Sequence, residues 1–250
     1  MHPSSHLPNS VAVKLRVTKS VSENISVDRP SQIPVLMRYF DALYTAFGPQ
    51  HWWPGRSRFE TIVGAILMQN TSWKNVELAI GNLRAECLLT PAAIEKAPFA
   101  KLARLIRSSG YFRQKAKKLK AFTSFLFETY GGSLSRMFRT STSALREQLL
   151  SIHGIGPETA DSILLYGGKH TVFVIDAYAR RILERHGLAN PNQSYEELRS
   201  LFESSLTSDP QLFNEYHALI VETGKLFCRK SQALCSSCPL KIFLPAGAVQ

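Results

Sequence analysis

No run of apolar residues in this sequence approaches the roughly 20 needed to cross a bilayer, and the first 30 residues lack the compact apolar stretch of a secretory signal. Neither a membrane-spanning nor a secreted protein is expected, and the expected location is the cytoplasm. Cysteine is scarce: there are four, of which Cys87 stands alone while Cys228, Cys235 and Cys238 crowd into the last quarter. Such a cluster in a cytosolic chain suggests metal rather than disulfides. Acidic residues are outnumbered, 19 Asp and Glu against 30 Lys and Arg, for a net charge of +11. That balance suits a polyanion such as nucleic acid, although charge alone identifies no partner. Repeats of fixed period are absent, and no linker composition interrupts the chain after its first 32 residues.

What is present is enough to bury a large core: 250 residues, 44% of them hydrophobic, as one helical body or as two lobes sharing a cleft. Residues 1–32, rich in Ser, Val and Pro and without a helical apolar stripe, are expected to be a flexible tail ending at Arg29-Pro30. Lys14, Arg16 and Lys19 raise a mitochondrial transit role, but they lie on no amphipathic face, which favours a solvated tail. From Ile33 onward apolar residues recur at helical spacing: Leu36, Tyr39, Phe40 and Leu43, then Phe59, Ile62, Val63, Ile66 and Leu67, and again at Leu119, Phe122 and Leu126. Thr90-Pro91 and Ser141-Thr142 read as helix starts and Gly131-Gly132 as a stop. Only His170 to Ile175 looks β-like, too short and isolated to seed a sheet. The expected class is all-α.

Gly154-Ile155-Gly156 joins two helical patterns. Glycines there permit positive φ and let backbone N–H groups approach a phosphate without a Cβ in the way. Pro157 suits the first position of the following helix, whose positive end adds to an anion site, and Ile155 would plug the turn against the core. A bare GxG would be an ordinary tight αα turn; the longer pattern, ending in Thr159-Ala160, favours DNA binding. Eighteen residues past Glu158, after Val172-Phe173-Val174-Ile175, comes Asp176 at the head of a helical segment. Its plainer role is an N-cap worth roughly 1 kcal/mol. A carboxylate held there stays ionised, and is also able to stabilise a sugar oxocarbenium and orient water.

Gly154 to Ala160 together with Val174-Ile175-Asp176 resembles the signature of the helix-hairpin-helix-GPD, or endonuclease III, superfamily of DNA glycosylases, a likeness running from about Phe47 to Ala246. The resemblance implies that the hairpin, including Thr159, binds double-stranded DNA carrying a damaged base and that Asp176 is essential for cleaving the N-glycosidic bond. It also implies two lobes: residues 54–167 as a central helical barrel with the hairpin, and 33–53 plus 168–250 as a terminal lobe with the cysteine loop. The chain departs from the parent pattern at Glu158, where bifunctional members carry the lysine that forms a Schiff base with the sugar. Glutamate cannot form that adduct, so a monofunctional enzyme, acting as a monomer with Asp176 and Glu158 at its catalytic centre, is expected.

Trp52-Trp53-Pro54 with Gln69-Asn70-Thr71 resembles the endonuclease III-like 3-methyladenine glycosylase branch, which also bears glutamate at the lysine position. Either tryptophan is a candidate to stack on a cationic alkylated base, and both are equally readable as core. Gln69 matches the position whose side chain fills the gap left by the extruded nucleotide; otherwise it is a polar residue ending a helix. Gly110 to Lys120 is basic with aromatics interleaved, so Lys115, Lys117 and Lys118 are candidates for phosphate contact or a solvated helix face. Cys228-x6-Cys235-x2-Cys238 reproduces three of the four ligands of the family's iron–sulfur loop, with Leu244 in the fourth place. Three possibilities stay open: a 4Fe-4S cluster on three cysteines, a metal-free remnant loop, or zinc completed by His or Asp. The function expected is excision of alkylated purines in base-excision repair, close to the nucleoid. The alternatives are a bifunctional glycosylase and lyase on oxidised pyrimidines and a catalytically silent DNA-binding module.

Overall fold

Twelve α-helices account for most of the described residues, 34–52 and 55–245, of the computed structural model. In chain order they are α1 (Val35–Phe47), α2 (Arg58–Leu67), α3 (Trp73–Ala85), α4 (Pro91–Lys96), α5 (Phe99–Leu105), α6 (Phe112–Tyr130), α7 (Leu134–Met137), α8 (Thr142–Ser151), α9 (Pro157–Ser162), α10 (Ala177–Arg185), α11 (Tyr195–Ser205) and α12 (Pro210–Leu226). Among the described residues no strand forms, and the β-like run around Val172–Ile175 is buried extended chain. The all-α expectation holds. The tail and Trp53 lie outside the described residues.

The apolar stripes become the core. Leu36, Tyr39 and Leu43 turn inward from α1, and every residue of α2 from Phe59 to Leu67 is buried. Helix ends obey their local chemistry. The Thr90 side chain accepts from the Ala93 N–H, and Gly131, in the left-handed conformation, closes α6 with its N–H on the Phe127 carbonyl. After α9 the helix widens into a π segment, Ile163–Gly168, packed against α2. No sequence signal announced that widening; such segments recur beside functional sites.

Two contacts set the frame. Arg146 of α8 grips the fully buried Asp161 of α9 with Nε at 2.6 Å and Nη2 at 3.1 Å, and its Nη2 also reaches Glu196 of α11 at 2.6 Å. Both arms of the hairpin are thereby clamped to each other and to α11. Gly224 lets α12 close on α10: a Cβ there would sit 2.2 Å from Cδ1 of Tyr178, in the first turn after Asp176. Removing one partner of a buried ion pair strands the other charge without water. Arg146→Ala should therefore destabilise the protein by about 3–5 kcal/mol in denaturant titration, whereas Arg146→Lys, which keeps charge but loses the bidentate grip, should cost less.

Candidate active site

Asp176 caps α10 as the sequence suggested. Its Oδ1 accepts from the N–H groups of Tyr178 at 2.9 Å and Ala179 at 2.8 Å. The preceding residues Val172–Ile175 are buried, so the carboxylate is delivered on a rigid stem with Oδ2 left over. It sits in the wall of a cleft of about 1010 Å³. The expected residues Trp52, Gln69, Gly154, Gly156, Glu158, Thr159 and Lys118 line the same cleft.

Glu158 is exposed to the water of this cleft yet surrounded by its walls. Desolvation there, together with the Asp176 charge, pushes its carboxyl up to about 7. A carboxyl raised in this way beside a second carboxylate is a usual basis for dividing acid and base roles.

The hairpin is tied to the cleft by one polar network. The Gln69 amide donates to the Gly154 carbonyl at 3.3 Å and to Thr159 Oγ1 at 2.7 Å, while the Lys118 ammonium donates to Gln69 Oε1. Gly154 has φ +82, and a Cβ would lie 2.6 Å from Lys118 Cε, so glycine is required twice over. Gly156 corrects an expectation: its φ is −93, and it needs no positive-φ freedom. What its missing Cβ leaves is open space above the first turn of α9. Ile155 is buried and plugs the turn, as expected.

The basic segment divides. Lys117 is exposed and Lys118 faces the cleft. Lys115 is a correction: it is 2% exposed, and its ammonium donates to the carbonyls of Leu67 at 2.9 Å and Ser109 at 2.5 Å. Burial lowers its pKa to about 8, and it joins α6 to the end of α2 rather than facing phosphates. Three residues that sequence reasoning passed over also line the cleft: Tyr166, His217 and Lys225. His217, Val221 and Lys225 follow at four-residue spacing on α12, a stripe that reads as core until the cleft is seen. The Lys225 ammonium lies 5.6 Å above the Trp52 ring.

Away from the cleft, the cysteine loop is held by α10. Arg181 Nε donates to the Cys228 carbonyl at 2.7 Å, and Arg185 Nη1 to Cys228 Sγ at 3.2 Å and the Arg229 carbonyl at 2.8 Å. Cys228, Cys235, Cys238 and Leu244 line one small pocket at the tail of α10. Leu244 offers no donor, and among the described residues no three His, Cys, Asp or Glu side chains gather to hold a metal. As arranged, three cysteines and Leu244 do not make up the four-ligand set of an iron–sulfur cluster.

Comparison with known proteins agrees with this geometry. The family model described as HhH-GPD superfamily base excision DNA repair protein matches residues 63–207. A Methanocaldococcus jannaschii protein named provisionally as a DNA repair glycosylase is 46% identical, covering 86% of this chain and 98% of its own length. Endonuclease III of Thermotoga maritima is 30% identical over 73% of this chain and 80% of its own. Among solved structures, H. pylori 3-methyladenine DNA glycosylase bound to 1,N6-ethenoadenine matches with a TM-score of 0.68 and 29% identity, over 76% of this chain and 97% of that one. An endonuclease III–DNA complex shares the fold, with a TM-score of 0.72 and 22% identity, over 84% of this chain and 94% of that one.

The raised Glu158 pKa carries a sign for stability. A carboxyl that titrates at about 7 when folded and at 4.5 otherwise favours the fold most when protonated, and that advantage is lost as pH rises through about 7. Glu158→Gln, permanently neutral, should match the wild-type Tm at pH 4, below both values, and exceed it at pH 8; a variant less stable than wild type at pH 8 would contradict desolvation and the Asp176 charge as the cause of the shift.

Proposed function

The chain belongs to the HhH-GPD superfamily of base excision DNA repair proteins, and from that premise we propose a monofunctional DNA glycosylase that hydrolyses the N-glycosidic bond of alkylated purines such as 3-methyladenine. The observation that carries the reading is the pairing of Asp176 with Glu158 in a cleft beside Trp52, where a lyase of this family would have lysine in place of Glu158. The likeness to the 3-methyladenine glycosylase of H. pylori supports the substrate class. Double-stranded DNA docks on the hairpin at Gly154–Gly156, with Thr159 and the exposed Lys117 nearby, and the damaged nucleotide turns out into the cleft. The two-lobe division, 54–167 against 33–53 plus 168–250, is part of this reading, with the cleft between the lobes. The enzyme acts as a monomer.

In the reaction the bond from C1′ to the base nitrogen breaks and its electron pair leaves with the base. An alkylated, positively charged purine departs neutral and requires no acid. Asp176 Oδ2 faces the positive charge that grows on the sugar. Water forms the new bond to C1′ and passes its proton to the ionised Glu158. The Trp52 face suits a cationic base, since it already holds one cation in Lys225. The cysteine loop takes no part in these steps; Arg181 and Arg185 hold it in place.

One observation favours a second reading. Lys118 and Lys225 line the same cleft, and either amine, placed at C1′, would make the enzyme a lyase. Borohydride trapping on damaged DNA separates the two: no covalent adduct is expected, and an adduct abolished by Lys118→Ala or Lys225→Ala would establish the lyase instead.

Mass spectrometry of bases freed from alkylated DNA should show methylpurines released under single turnover. Asp176→Asn should slow that release by roughly 100-fold or more without weakening DNA binding. The rate should climb as pH passes through about 7, where Glu158 ionises, and Glu158→Gln should flatten the climb. Equal release by Asp176→Asn and wild type would remove Asp176 from its role and leave a DNA-binding module.

A further inference from the structure

Asp176 has one oxygen committed to the helix cap, and what orients the other is a buried side chain that the chemistry above does not use. His217 of α12 is 5% exposed, and its Nε2 lies 3.7 Å from Asp176 Oδ2. That nitrogen has no other hydrogen-bond partner, an expensive state for a buried polar atom unless it faces a charge. Its Nδ1 is 2.6 Å from the Tyr166 hydroxyl.

The order of donors along this row is fixed by chemistry. Nε2 faces the Asp176 carboxylate, which accepts and does not donate, so the neutral imidazole carries its proton on Nε2. Nδ1 then carries the lone pair and accepts from the Tyr166 hydroxyl. The opposite tautomer would aim a lone pair at the Asp176 carboxylate, which electrostatics forbids at this range in a buried setting.

We propose that His217 is a positioning residue for Asp176: kept as the Nε2–H tautomer by Tyr166, it aims Oδ2 into the cleft. The Nε2–H group points at the carboxylate and tightens to a hydrogen bond when substrate closes the site, as catalytic hydrogen bonds that are long in the free enzyme commonly do. The role rests on Asp176 being the carboxylate that meets the sugar. Burial lowers the His217 pKa while Asp176 opposes that shift, in keeping with a neutral imidazole held between them. Glu158, Tyr166 and Asp176 are the titratable groups around it in the cleft, and Tyr166 is itself held protonated by burial and by those two carboxylates.

Two measurements test the role, one of them blind to activity. In 15N-histidine NMR of the full chain, the His217 ring should show the Nε2–H tautomer, and Tyr166→Phe should weaken that preference; a ring protonated on Nδ1 alone would overturn the proposal. Under single turnover on alkylated DNA, His217→Leu should slow base release roughly ten- to a hundredfold, the scale on which misplacement of a reacting group acts, with DNA affinity unchanged. His217→Gln, whose amide nitrogen falls near the Nε2 position, should recover most of that rate. In the Asp176→Asn background His217→Leu should add no further loss. A glutamine variant no better than leucine, or full additivity with Asp176→Asn, would reduce His217 to a packing residue. Should the wild-type protein release no base at all, the proposed function fails, and the NMR tautomer still decides whether His217 is arranged for Asp176.

Discussion

The N–H groups of Tyr178 and Ala179, in the first turn of α10, bind one oxygen of Asp176, and the rest of the cleft is arranged around that cap. A cap of this kind contributes only about 1 kcal/mol to folding. Its larger consequence is geometric. Two N–H groups at the positive end of the helix fix the plane of the carboxylate, so the free oxygen has one direction in which to point. The buried run before it forbids rotation of the stem, and the far end of α10 is anchored too: Arg181 and Arg185 hold the Cys228 segment. One nine-residue helix therefore joins the carboxylate at its head to the cysteine loop at its tail. A loop whose docking uses guanidinium groups on backbone carbonyls and a thiol can keep α10 in place without a cluster.

The opposite wall is knitted by Gln69. Its amide reaches the hairpin carbonyl of Gly154 and the hydroxyl of Thr159, and Lys118 supports its oxygen from α6. Three elements distant in sequence meet at one side chain. In the resemblance to known glycosylases, Gln69 belongs to the gap left by a flipped nucleotide; in the free protein it braces the hairpin. If Gln69 did both, it would have to exchange hairpin contacts for DNA contacts as the duplex arrives, which would couple docking on the hairpin to filling of the gap.

What the sequence made legible follows from how local each signal is. The cap at Asp176, the stop at Gly131 and the plug at Ile155 each depend on a few neighbouring residues, and each is found in its expected place. The second glycine of the hairpin misled because GxG does not say which glycine turns: Gly154 takes positive φ and Gly156 does not. Lys115 misled because a basic run on an amphipathic helix gives no clue that one lysine of the run faces inward to carbonyls 48 and 6 residues away. His217 and Tyr166 were invisible for a related reason. Each sits in an apolar stretch and reads as core until the π segment and α12 bring their rings together, 51 residues apart. Their roles exist only in the tertiary fold.

The charges in the cleft bear on which base it would admit. Lys225 lies over Trp52, where a flipped base would stack, which at first sight argues against a cationic base. The energetics point the other way. Lys225 is 45% exposed, and a cation–π contact at so open a site is worth about 0.5–1 kcal/mol, so its ammonium leaves for water at small cost. A desolvated cation on the same ring gains about 2 kcal/mol or more, and it would do so beside Asp176 and a Glu158 that ionises more readily once a positive charge is near. A neutral base in that position would gain stacking but no charge attraction, and would leave two carboxylates facing each other unrelieved. On the proposed function, the cleft would discriminate by exchange, giving up a solvated lysine for a buried cation, with Glu158 in place of lysine favouring that exchange.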